Sequence, residues 1–261
     1  VDSQSNQNYL FNIASSEHST LTGPELVYVP AASPDTVVAV ADHYGNISAP
    51  TTVQGGNGDG ETLLVKYASS NSRKAWVRFD LTGLSFDSQA DTTFRFRQAD
   101  IATEYTGTLA VWALNSGFTP GGGILDTDWD EDALTWNNAP ANNTSSKNNF
   151  TADAIKIGTI SFNTAAEDTG YVYSINIGAL EDFLQADNTV TLMISVDYQS
   201  NSSPSFNIAS SEHSTLTGPE LVLAPPTAPN KFNAVADHYG NISSPGTVQE
   251  GNGDGETLFV K

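Results

Sequence analysis

Residues Asp42 to Lys66 read DHYGNISAPTTVQGGNGDGETLLVK and return almost unchanged as DHYGNISSPGTVQEGNGDGETLFVK from Asp237 to Lys261. A second segment, FNIASSEHSTLTGPELV, stands at Phe11 to Val27 and again at Phe206 to Val222. Both pairs share one offset, since 237 − 42 = 195 and 206 − 11 = 195. Residues 1–66 therefore align without a gap on residues 196–261, with 48 of 66 positions identical. A period this long demands that each copy close its own core or share one with its neighbour. The sequence reads as a window on a tandem array. Closing strands of one module occupy 1–29 and a Pro-containing linker 30–36. A complete module runs over 37–224, followed by a second linker over 225–231 and the opening strands of the next module over 232–261. The two linkers are where the copies diverge most, as short surface connections do, and their prolines stiffen them.

Within the complete module the hydrophobic period is two. In KAWVRFDL, Ala75, Val77, Phe79 and Leu81 share one face, and Trp76, Arg78 and Asp80 the other. TFRFRQ repeats the alternation, with Phe94 and Phe96 facing inward, while LAVWAL is apolar on both sides, as a central strand would be. VVAVAD, ETLLVKY, AIKIGTI, YVYSINI and VTLMISVD are further strands. The one helix expected is GALEDFLQAD, about two turns, with Leu180, Phe183 and Leu184 on one face. The loop ANNTSSKNNFTAD has little to bury. Short strands joined by polar, Gly-rich turns predict an all-β module, an antiparallel β-sandwich of jelly-roll type.

Charge and cysteine content narrow the function classes. Ten Lys and Arg against 30 Asp and Glu leave a net charge of −20, which argues against nucleic acid and anionic membrane partners. With no cysteine there is neither a disulfide nor a thiolate metal site. No apolar run reaches the ~20 residues that span a bilayer.

Several motifs together resemble the DNRLRE-type domain, a β-sandwich of microbial extracellular proteins with a branch classed among carbohydrate-binding modules. They are Asp42-x-Tyr44, SRKAWVRFDL at Ser72 to Leu81, WDEDALTWNNAP at Trp129 to Pro140, and SSEH followed by PELV between Ser210 and Val222. The resemblance covers the whole complete module. It implies an extracellular sandwich and a structural turn in which Trp129 and Trp136 pack and Glu131 receives hydrogen bonds. The family's alginate-binding branch presents a basic surface, which this acidic chain lacks.

Candidate sites are few. The loop GGNGDGE sets Asn57, Asp59 and Glu61 on alternate residues between glycines, and with Asp42 it offers the oxygen ligands of a calcium site; a solvated hairpin turn is the plainer reading. The run Asp126, Asp128, Asp130, Glu131 and Asp132 is a second cation candidate. Those carboxylates crowd on one turn, whereas glycoside hydrolysis needs two facing each other across a cleft, so a non-catalytic protein is expected. Trp76 with Arg78, Arg95 and Arg97 could line a sugar-binding face, against the alternative that each arginine is already paired and the tryptophan is core. Glycosylation sequons start at Asn46, Asn142, Asn149 and Asn201 among others. The expected function is a structural repeat of an extracellular or cell-surface filament, stalk or adhesin, whose partners are neighbouring modules or copies of itself; the alternative is a carbohydrate-binding array attached to polysaccharide.

Overall fold

The computed structural model describes residues 11–14, 19–20, 25–28, 35–55, 60–100, 104–165, 167–225, 230–233 and 257–260. Its strands are β1 (Phe11–Ala14), β2 (Glu25–Tyr28), β3 (Asp35–Val38), β4 (Ala41–Asn46), β5 (Thr62–Val65), β6 (Arg73–Asp80), β7 (Thr92–Arg97) and β8 (Thr106–Leu114). They continue with β9 (Ala154–Asn163), β10 (Val172–Gly178), β11 (Thr189–Gln199), β12 (Phe206–Ala209), β13 (Glu220–Leu223), β14 (Asn230–Asn233) and β15 (Thr257–Val260). The chain divides into two compact units, one spanning Ser33–Pro226 and one combining Val1–Ala32 with Thr227–Lys261. Asp35 and Thr36, placed by the sequence in the first linker, belong to β3, so the larger unit begins earlier than expected.

The larger unit is all-β and antiparallel throughout. One sheet has the order β4-β6-β11-β8-β9, another the order β10-β7-β13-β3, and β12 pairs with β5. Val77, Phe79, Leu109, Val111, Leu192 and Ile194 of the first sheet meet Phe94, Phe96, Tyr173, Leu221 and Leu223 of the second in one core, the arrangement of a β-sandwich. Strand β7 shows the alternation read from its sequence, with Phe94 and Phe96 fully buried and Arg95 and Arg97 half-buried on the opposite face. Close approach of three strands at one corner requires glycine: a Cβ on Gly107 would lie 2.4 Å from the Phe162 ring and 2.5 Å from the Tyr198 carbonyl oxygen.

The first sheet is buried on both faces. Behind it Trp76, Leu114, Trp129, Leu134, Ala141, Phe150 and Met193 form a second core, closed by the long connection between β8 and β9. The segment expected to have little to bury thus contributes Ala141, Asn142 and Phe150 to the interior. Phe150 packs edge-on against Trp76 at 5.7 Å, and that contact draws an otherwise polar loop onto the sheet. The expected helix shortens to a single 3-10 turn, Leu180–Asp182. Leu180 and Phe183 do face inward, but Ala179 supplies no side-chain cap. Gln185 turns its amide to the carbonyl oxygens of Asn115 (2.8 Å) and Phe183 (3.1 Å), drawing the chain out of helical register.

Strand β13 lies between β7 and β3, with Asp35 opposite Leu223, so the chain enters and leaves this unit on neighbouring strands at one end. In the smaller unit β1 pairs with β15 and β2 with β14. Phe11 faces Val260 there as Phe206 faces Val65 in the larger unit. Glu25 likewise faces Asn233 as Glu220 faces Val38. Adding 195 to the smaller member of each pair gives its counterpart (11 + 195 = 206, 65 + 195 = 260, 25 + 195 = 220, 38 + 195 = 233), so the two registers coincide. Among the described residues no helix is long and apolar enough to cross a membrane.

Candidate cation site

Three carboxylates from distant parts of the chain converge in the larger unit. Asp42 stands on β4, Glu131 opens the 3-10 turn Glu131–Ala133, and Glu212 follows β12. One oxygen from each lies within 4.8 Å of the other two. The main chain fixes their positions. Asp42 N donates to Glu131 Oε2 at 3.0 Å, Ser211 N donates to Asp42 Oδ2 at 2.8 Å, and Ser211 Oγ donates to Glu212 Oε1 at 2.6 Å. Asp130 caps the turn that carries Glu131 by accepting from Asp132 N at 3.1 Å.

The electrostatics of the trio are unfavourable as they stand. Asp42 is 1% exposed, and its Oδ1 is buried without a hydrogen-bond partner. Burial, reinforced by the Glu212 charge, raises its carboxyl to about 8, and burial likewise raises Glu131. The salt bridges among the described residues join Arg95 and Arg97 to Glu220, and Lys156 to Asp197, so none neutralises the trio. His43, next to Asp42, is held neutral by burial, which lowers it to about 4, and its Nε2 accepts from Gln54 N at 3.0 Å, while His213, next to Glu212, accepts at Nδ1 from Thr215 N at 3.2 Å and Leu216 N at 3.1 Å. Carboxylate oxygens alone, with no imidazole or thiolate in the set, are suited to a hard cation or a shared proton.

The closing loop is held tightly against this cluster. A Cβ on Gly218 would lie 2.7 Å from Ser211 N and 2.8 Å from the Ser210 carbonyl carbon and oxygen. Neither backbone group can swing aside as a flexible side chain would. Gly218→Ala is therefore expected to lower stability by about 1–3 kcal/mol in a chemical unfolding curve, through displacement of the amide that binds Asp42.

Of the sequence-derived calcium ligands, Asp42 lies in this cluster and Glu61 is exposed, while Asn57 and Asp59 lie outside the described residues. In the acidic run, Glu131 alone joins the cluster; Asp126 accepts from Thr127 N, and Asp130 serves as the cap. Glu212 was the member missed. The signal for it was present, since SSEH recurs with Glu17 and Glu212 in its two copies.

The residues expected to form a sugar-binding face are otherwise engaged. Trp76 is fully buried, its Nε1 donating to the Pro140 carbonyl oxygen at 2.9 Å, so it presents no ring to solvent. Arg95 Nε and Arg97 Nη1 each donate to Glu220 Oε2 at 2.8 Å, while Arg78 sits 6.0 Å from the Trp129 ring centre with its Nε buried and without a hydrogen-bond partner. Of the sequons, Asn46 and Asn142 are buried and hydrogen-bonded through their side chains, whereas Asn149 and Asn201 are exposed. A cleft lined by Phe118, Gly121, Ile124 and Asp153 measures about 90 Å³, small beside the ~300 Å³ of ordinary ligand pockets.

No protein-family model matches this chain, and no curated protein matches it significantly.

Proposed function

We propose that the protein is a non-catalytic structural repeat of an extracellular filament, stalk or adhesin, built from DNRLRE-type jelly-roll modules in tandem. The observation that carries this reading is the coincidence of strand registers: opening and closing segments pair in the same way in both units. In the larger unit β12 and β13 pair with β5 and β3 of the same module, which supports modules that close on their own strands; the smaller unit repeats those registers between segments assigned to two different modules. Near-identity of the copies fits a fibre made by repetition, and the acidic surface fits a saline, divalent-rich exterior. Within the trio Asp42 is 1% exposed, whereas a glycosidase presents both of its carboxylates to the sugar.

Because β3 and β13 are antiparallel neighbours, a module of this kind hangs from its linkers at one end. Negative-stain electron microscopy of native material is expected to show fibres with a regular lateral repeat. Compact, unassociated particles at native concentration would count against the reading. Carbohydrate binding through repetition of weak sites is checked by affinity-gel retardation on neutral and acidic polysaccharides. The engagement of Trp76, Arg95 and Arg97 within the fold leads us to expect no retardation through that face.

A further inference from the structure

We propose that Asp42, Glu131 and Glu212 bind one calcium ion that clamps the opening strand of the module to its closing loop. Two oxygens on one calcium lie no more than about 5 Å apart, twice the ~2.3–2.6 Å coordination distance, and the trio satisfies this at 4.8 Å or less. Magnesium sets a tighter bound of about 4.2 Å and demands near-ideal octahedral geometry, whereas calcium accepts an irregular set of oxygens. The second, independent pointer is the orphaned Oδ1 of Asp42. A carboxylate oxygen that is buried, unpartnered and set beside two further carboxylates is destabilising unless something positive reaches it. No described salt bridge does so, and the two neighbouring imidazoles accept from backbone amides instead, His43 from Gln54 N and His213 from Thr215 N and Leu216 N.

The three ligands come from the first, middle and last thirds of the unit, so one ion would join segments that the chain order keeps apart. Asp42 and Glu212 belong to the duplicated stretches, as their copies Asp237 and Glu17 show, whereas Glu131 belongs only to the complete module. The chain therefore carries one complete set of ligands. The clamp stands on the larger unit alone, and it holds whether or not modules assemble into a fibre.

The test is isothermal titration of the full chain, stripped with EDTA and held at physiological salt, with calcium and in parallel with magnesium, together with thermal melts. One calcium per chain is expected, with the midpoint rising by roughly 5–10 °C when calcium exceeds its dissociation constant a hundredfold. Asp42→Asn, which removes the buried charge, is expected to abolish that rise while melting no lower than the stripped wild type. Glu212→Gln, lying toward the surface, is expected to weaken calcium at least tenfold and serves as the readout if Asp42→Asn fails to fold. Weak binding at many sites that neither variant alters, or a melt indifferent to calcium, would overturn the clamp. An equal response to magnesium would overturn the choice of calcium.

Discussion

Replacing Trp76 with alanine is expected to lower stability by about 3–5 kcal/mol, read as the shift in a urea or guanidinium unfolding curve. The indole is fully buried between β6 and the connection from β8 to β9, so its loss opens a cavity that the sheet cannot collapse to fill. Its Nε1 donates to the Pro140 carbonyl at 2.9 Å, and its ring meets the edge of Phe150 at 5.7 Å. Truncation thus also orphans a buried carbonyl oxygen and releases the aromatic anchor of the covering loop. Proteolysis within residues 141–153 should accelerate in parallel. A loss below 1 kcal/mol would show that the second core is not integral to the fold, and would reopen a role for Trp76 at a binding surface.

Lys74→Met is expected to cost less in total but to show a characteristic pH dependence. Lys74 is fully buried, and its ammonium donates to Asn142 Oδ1 at 2.9 Å and to the carbonyl oxygens of Asn149 at 2.6 Å and Asn143 at 3.3 Å. It also lies 4.6 Å from the Trp136 ring centre and 4.8 Å from that of Phe150. One side chain therefore pins both limbs of the loop to β6, and methionine of similar length leaves those acceptors unsatisfied at a cost of about 1–3 kcal/mol.

Burial lowers the Lys74 ammonium to about 7, against its ordinary value of 10.5. The unfolded chain binds the proton more tightly, so this group's contribution to stability is present in full above 10.5 and is lost as pH falls toward 7. Stability should rise with pH across that interval in the wild type, by at most about 5 kcal/mol. The rise should be absent in Lys74→Met, so that the deficit of the variant widens from pH 7 to pH 10. Parallel curves for the two proteins would show that Lys74 titrates in the fold as it does in water.

Much of the architecture is legible in the chain because strand pattern is local. Period-two alternation placed Phe94 and Phe96 inward on β7, since a half-buried strand must alternate whatever its partners are. LAVWAL, apolar on both sides, correctly signalled a strand covered on both faces. The identity of what covered it was not legible. ANNTSSKNNFTAD looks like a solvated loop because only Phe150 and a few alanines in it are apolar, and its burial depends on Trp76 and Lys74, far away in sequence. The helix assignment failed for a related reason: the apolar spacing of Leu180, Phe183 and Leu184 serves a 3-10 turn equally well, and Gln185 finds its partners across the fold.

The sequence by itself determined the duplicated segments and the all-β character, because these follow from identity between copies and from periods of two. Only the tertiary structure decided which acidic residues meet. Asp42 and Glu131 are 89 residues apart, and Asp42 and Ser211 are 169 apart. Spacing along a chain ranks the compact run near Asp128 and the loop of Asn57 above such a set. Sheet closure overrides that ranking, because it brings β4 against the loop between β12 and β13 and leaves Asp42 Oδ1 buried in a cluster with two further carboxylates.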